Sequence, residues 1–179
     1  AGVATDVLTY SYTDVNGCTA SDQLNVDIQP VLVPANAGPD AAVCVNSGTL
    51  QLNGAPLGGT WSGPQVDATG AFDTSVPGTY TLTYSVGSAT CLLQDQVTMT
   101  VNALPIVDAG TDIAVCLDGG LQQLTATPIG GTWSGTGVDA TGLFDPTLAV
   151  PGGNAVTYQY TDAATGCSNS DNALVTVHP

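Results

Sequence analysis

The stretch Gly58-Gly59-Thr60-Trp61-Ser62-Gly63 returns letter for letter as Gly130-Gly131-Thr132-Trp133-Ser134-Gly135. These strings hold the only two tryptophans of a 179-residue chain. In each, small polar neighbours flank the ring, so on a strand Thr60 and Ser62 point opposite to Trp61. The surrounding glycines end the strand and let other backbone approach closely. That pattern describes a core tryptophan on a short central strand, used twice. The competing reading is an exposed ring face that stacks on sugars, which would make the chain an array of carbohydrate-binding modules built on Trp61 and Trp133.

Working outward, the duplication extends well beyond six residues. Asp40 and Asp112, Cys44 and Cys116, Asp67 and Asp139, and Phe72 and Phe144 are each 72 positions apart, like the tryptophans. The second copy then carries four extra residues, so Cys91 and Cys167 are 76 apart. A third, incomplete copy opens the chain: Tyr10–Ile28 aligns with the segments around Cys91 and Cys167, making Cys18 their counterpart. A repeat of this length is the mark of a modular array. It divides the chain into 1–33, the C-terminal part of a module, and two complete modules at 34–104 and 105–179. We expect the chain to be a piece of a longer protein. Its first 33 residues would then expose unpaired strand edges that favour dimers or aggregates.

Within a module the text reads as short strands between turns. Tyr80, Leu82 and Tyr84 alternate with Thr79, Thr81 and Thr83, and Val97, Met99 and Val101 alternate with Thr98 and Thr100. A period of two marks half-buried strands. Ala42–Val45 and Leu50–Leu52 read as strands around an Asn-Ser-Gly turn, followed by Thr60–Ser62, Val66–Asp67 and Phe72. About seven short strands per module predict an all-β fold of tandem immunoglobulin-like antiparallel sandwiches, elongated overall. The junctions, Gln29-Pro-Val-Leu-Val-Pro34 and Ala103-Leu-Pro-Ile106, are short and stiffened by proline.

Composition agrees and excludes several tasks. There is no Lys, Arg or Glu; all fifteen acidic residues are Asp, giving a net charge of −15. The missing residues are the usual helix-surface formers, while Asp favours turns. Without a cation the chain offers nucleic acid no electrostatic footprint, and no apolar run is long enough for insertion into a membrane. Catalysis has little to use. The single histidine, His178, has no serine–aspartate setting, and no lysine or arginine is available to stabilise a transition state, so no catalytic residues are assigned and the chain is read as a non-enzyme. The outward threonines are explained by β-propensity.

Five cysteines in no CxxC arrangement, with one histidine, argue against zinc and for disulfides in an exported protein. Each full module has one cysteine on its first strand and one at its last hairpin. That plan predicts Cys44–Cys91 and Cys116–Cys167, with Cys18 bonded to a residue outside the chain, about fifty residues upstream on the first strand of its own module. Closing a loop of this size stabilises by roughly 4 kcal/mol on chain-entropy grounds. Asp40 and Asp112 stand at the module entrances, with Asn36 and Asp108 four residues before them. Asp40, Asp108 and Asp112 are therefore candidate calcium ligands, against the alternative that they build turns. No other cofactor is expected.

The phrases YTDVNGCTASDQ (Tyr12–Gln23), VPGTYTLTYS (Val76–Ser85), the Pro105–Cys116 entrance with its DAG and AVC, and GGTWSGTGVDATGLFDP (Gly130–Pro146) together resemble repeats of very large Bacteroidota surface proteins. These are the gliding-motility adhesins and related appendage proteins exported by the type IX system. The resemblance covers nearly the whole chain. It implies an extracellular, cell-surface place, a long row of immunoglobulin-like modules, and an adhesive or mechanical task as a stalk or filament segment. Its partners would be further repeats of the same polypeptide, a homo-oligomeric filament, and a surface or glycan ligand. The resemblance carries over no catalytic residues.

Overall fold

The computed structural model describes residues 4–28, 33–88 and 91–179. Strands dominate, and among these residues no helix is long and apolar enough to cross a membrane. The chain opens with a hairpin of β1 (Ala4–Thr13) and β2 (Thr19–Ile28). Then come β3 (Ala41–Cys44), β4 (Leu50–Gln51), β5 (Thr60–Ser62), β6 (Ala71–Phe72), β7 (Gly78–Ser88) and β8 (Cys91–Asn102). The same series follows as β9 (Ile113–Cys116), β10 (Gln122–Gln123), β11 (Thr132–Gly135), β12 (Leu143–Phe144), β13 (Gly152–Thr161) and β14 (Ser168–His178).

Each series makes one immunoglobulin-like sandwich unit. A four-stranded sheet, ordered β5-β7-β8-β3 or β11-β13-β14-β9, is covered by a two-stranded ladder, β4–β6 or β10–β12. The first unit buries Trp61, Phe72, Leu82, Tyr84, Val97, Met99 and Val101 between these layers. The second buries Trp133, Phe144, Val156, Tyr158, Val175 and Val177. The two clusters share no residue, and no strand of one unit packs broadly on a strand of the other among the described residues. Each unit thus carries its own core.

Two features depart from the expected antiparallel sandwich. First, β3 and β9 do not form hairpins around the Asn-Ser-Gly turn or its counterpart. After Cys44 the chain turns at Ser47, whose N–H donates to the Cys44 carbonyl, and crosses to the opposite layer, where β4 pairs with β6. Second, β3 pairs with β8 in parallel, Ala41 opposite Met99 and Cys44 opposite Asn102. In the second unit β9 pairs with β14 likewise, Cys116 opposite His178. An alternating pattern fixes which face a residue takes but not the direction of the strand. Val66 makes only an isolated bridge, to Phe72. Of the first junction, Gln29–Leu32 lies outside the described residues.

The repeated string has a packing reason. Trp61 and Trp133 are 5% and 6% exposed. Each lies with its ring centroid 5.0 Å from that of the tyrosine opposite it, Tyr84 or Tyr158. The Tyr84 hydroxyl donates to the Pro56 carbonyl (2.6 Å) and accepts from the Gly59 N–H (2.9 Å). Tyr158 repeats this with Pro128 and Gly131. Only glycine fits at positions 59 and 131, because a Cβ there would enter the tyrosine ring and a backbone carbonyl of the neighbouring strand. Sugar stacking needs an open ring face, so the buried tryptophans overturn the carbohydrate-platform reading.

The tyrosine hydroxyl therefore ties the loop to the sheet. Tyr84→Phe is expected to leave the Pro56 carbonyl and Gly59 N–H without their partner and cost about 1–3 kcal/mol. Urea unfolding followed by tryptophan fluorescence checks this, and an unchanged midpoint would show that the loop does not depend on the hydroxyl.

Candidate functional site: the covalent joint between the units

The only disulfide among the described residues joins Cys44 to Cys167, with Cα atoms 5.7 Å apart and 123 positions between them in sequence. It runs between units. The expected Cys44–Cys91 and Cys116–Cys167 bonds are not made; Cys18, Cys91 and Cys116 are free and exposed. Strand direction explains the correction. Because β3 runs parallel to β8, Cys44 sits beside Asn102, at the end of β8. Cys91 is at the beginning of that same twelve-residue strand. At about 3.3 Å per residue the two ends lie roughly 35 Å apart, far beyond the span of about 7 Å that a disulfide can bridge. The same geometry separates Cys116, beside His178, from Cys167, just before β14. With these pairs unmade, the two full units offer no precedent for a partner of Cys18 within its own module.

Both partners of the bond are held by local structure. Val45 N–H donates to the Asn102 carbonyl (2.9 Å), continuing the parallel ladder past Cys44. Two carboxylates fix that ladder's register. Asp40, just before β3, accepts from Thr98 N–H (2.7 Å), and Asp95 in β8 accepts from Ala37 N–H (2.8 Å). The second unit repeats both, with Asp112 on Leu174 N–H and Asp171 on Ala109 N–H. Cys167 ends a turn organised by Asp162, whose N–H bonds the Cys167 carbonyl and whose carboxylate holds Ala164 and Thr165. Two residues on, Asn169 donates to the Pro105 carbonyl of the linker (3.0 Å), pinning the linker to the same hairpin. Bonded in this way, Cys167 is fully buried.

Asp162 and Asn169 escaped the sequence reading, although the TD…GC signal was visible twice. In the first hairpin Asp14 serves Cys18 similarly, accepting from Asn16 N–H (2.9 Å) and Cys18 N–H (2.8 Å). The calcium candidates have other employment. Asp40 and Asp112 hold the first strands, and Asp108 closes a local turn on Gly110 N–H (2.8 Å), as Asn36 does on Gly38. Among the described residues no three His, Cys or Asp side chains gather as metal ligands.

Asp67 is held below the ordinary carboxylate range, first by the Thr69 hydroxyl and next by the Ala71 N–H. Asp139 is lowered in the same way by Thr141 and Leu143. Asp171 is lowered by the N–H groups of Ala109 and Asn172. Each therefore works as an anionic acceptor that organises backbone.

No protein-family model matches the chain, and no curated protein does. Among solved structures, Drosophila N-cadherin EC1-4 is 12% identical at TM-score 0.30; the match covers 97% of this chain and 58% of that one. A titin I-band fragment, I67-I69, is 14% identical at TM-score 0.32, over 82% and 66%. A SusE-like surface-located polysaccharide-binding protein from the Bacteroides thetaiotaomicron heparin utilisation locus is 12% identical at TM-score 0.34, over 96% and 43%. At these scores the likenesses bear on neither ligand nor task.

Two outcomes are expected. Non-reducing peptide mapping, with a protease that does not need Lys or Arg, should recover Cys44 linked to Cys167 and the other three cysteines as thiols; a Cys44–Cys91 peptide would overturn the strand direction. Stability should also be fully present above about pH 4, where carboxylates of the unfolded chain are ionised. It should fall as pH drops through the lower native values of Asp67, Asp139 and Asp171, because their depressed native pKa values favour the folded state only while they are ionised. Asp139→Asn should flatten that acid limb in urea titrations; an unchanged limb would remove this carboxylate from the account.

Proposed function

We propose that this chain is a load-bearing spacer segment of a long extracellular adhesin or cell-surface filament, built from immunoglobulin-like units joined covalently end to end. The observation that carries the reading is the Cys44–Cys167 bond, which spends the disulfide on the joint and leaves each sandwich to its own core. Such placement suits a rod, because relative motion of its units is the motion it must resist. Disulfides persist outside the reducing cytosol, which fits an exported protein. With no Lys or Arg, His178 is the only basic side chain of the sequence, so a network of ion pairs between side chains could not do the same work.

The surface adhesins that the repeat phrases resemble supply the finer reading. This is a segment of a giant type IX-exported protein, with its adhesive tip elsewhere and further repeats of the same polypeptide as its neighbours. At about 8 Å of screening in physiological salt, fifteen dispersed aspartates leave neighbouring rods free to pack side by side into a filament. A strand of about six residues rises ~20 Å; with its loops a unit should advance the rod by very roughly 35–40 Å.

Small-angle scattering of the oxidised chain tests the proposal. An elongated particle is expected, and reduction should broaden its distance distribution as the joint loosens while circular dichroism shows the units still folded. A compact, near-spherical particle, or one whose scattering is indifferent to reductant, would overturn the spacer reading.

A further inference from the structure

The cysteines fall into two geometric classes. Cys44 and Cys116 end the first strand of their units, each opposite the last residues of the long parallel strand, Asn102 or His178. Cys18, Cys91 and Cys167 sit at the long hairpins, between β1 and β2, β7 and β8, and β13 and β14. The bond observed joins one member of each class across a unit boundary. We propose that this pairing is a general joint, and that Cys116, Cys91 and Cys18 are its open halves. Cys116 takes the hairpin cysteine of a second copy of this module, and Cys91 and Cys18 each take a first-strand cysteine of one.

Three observations carry this beyond the presence of free thiols. The first-strand cysteines have the same setting: DAAVC and DIAVC, the same parallel register, and the same brace from Asp40 or Asp112. The bonded hairpin cysteine is buried where a neighbour covers it, whereas Cys91 and Cys18 are exposed at the matching place. The Cys18 turn is built like the Cys167 turn, an aspartate carboxylate holding the loop and a glycine of positive φ, Gly17 or Gly166, preceding the cysteine. Cys18 is thus presented as Cys167 is, with no partner in place.

The chemistry needs an oxidant, and a small-molecule disulfide supplies it. One cysteine thiolate attacks a sulfur of oxidised glutathione, forming a mixed disulfide and releasing one glutathione thiolate. The partner cysteine's thiolate then attacks the protein sulfur of that mixed disulfide and expels the second glutathione. Two protein thiols are oxidised, and one glutathione disulfide is reduced to two thiols. The inference rests on the rod reading only through the Cys44–Cys167 joint, which the same digest reports separately.

The test incubates the whole chain, Cys44–Cys167 intact, in a glutathione redox buffer, followed by non-reducing electrophoresis and mapping of the linked peptides. A ladder of covalent oligomers is expected, linked Cys116 to Cys91 or Cys116 to Cys18. Cys116→Ser should abolish the ladder, and so should the double change Cys18→Ser with Cys91→Ser. Links of like with like, such as Cys116 to Cys116, in equal abundance would overturn the proposal, as would a chain that stays monomeric with glutathione on its thiols. If either result came with Cys44–Cys167 intact, the joint within the chain and the spacer reading would stand. If Cys44 were bonded elsewhere, both would fall.

Discussion

The pairing of β3 with β8 in parallel is the constraint on which the rest of this molecule hangs. Four residues decide it. Had the first strand returned antiparallel on its neighbour, Cys44 would have come toward the unit's own hairpin and closed the bond inside the sandwich. Running the other way, it delivers the thiol to the far end of β8, beside the linker that leads into the next unit. The register is secured by side chains as well as by ladder bonds. Asp40 reaches across to Thr98, and Asp95 reaches back to Ala37, so carboxylates on both strands hold the pair from either side.

That use of aspartate runs through the protein. Where a charged chain normally balances acids with bases, this one has no bases beyond His178, and its carboxylates bond to backbone N–H groups and hydroxyls instead. Asp67 and Asp139 each gather a threonine hydroxyl and two backbone N–H groups into one tight turn. Short side chains suit this work, because a carboxylate one carbon from the backbone folds back on its own loop at little entropic cost. Such bonds are local and short-ranged, so the fold owes little to the long-range electrostatics that salt would screen.

The faces of the strands, the repeat and the tryptophan settings were legible in the sequence because they are set by what each residue touches. Thr60-Trp61-Ser62 alternates on any strand, and Gly59 is demanded by the tyrosine that leans on it. Direction and connectivity were not legible. Alternation is the same read forward or backward, and four cysteines spaced alike in two modules admit more than one pairing. The second copy's extra length was also only partly readable. Tyr84 and Tyr158, both opposite a tryptophan, lie 74 positions apart, whereas the hairpin cysteines lie 76 apart. Part of the insertion thus precedes β13's tyrosine and part enlarges the turn that Asp162 organises before Cys167. The text showed one added length, and the pairing shows two places where it is absorbed.

The sulfur bridge also alters how the polypeptide would respond to being stretched. Tension applied on either side of it leaves the backbone at Cys44, crosses the bond and rejoins the backbone at Cys167. The stretch in between, 123 positions of sequence, is out of the mechanical circuit, and at about 3.4 Å per residue it represents some 400 Å of contour length that cannot be drawn out. Both tryptophans lie inside that bypassed stretch, as do the buried residues of the first core other than Ala37, whereas Ala173, Val175 and Val177 of the second core lie beyond Cys167 on β14, which carries the load. Covalent routing, rather than packing, sets how far the stretch between the two cysteines can lengthen, while the second sandwich must still hold β14 by packing and ladder bonds.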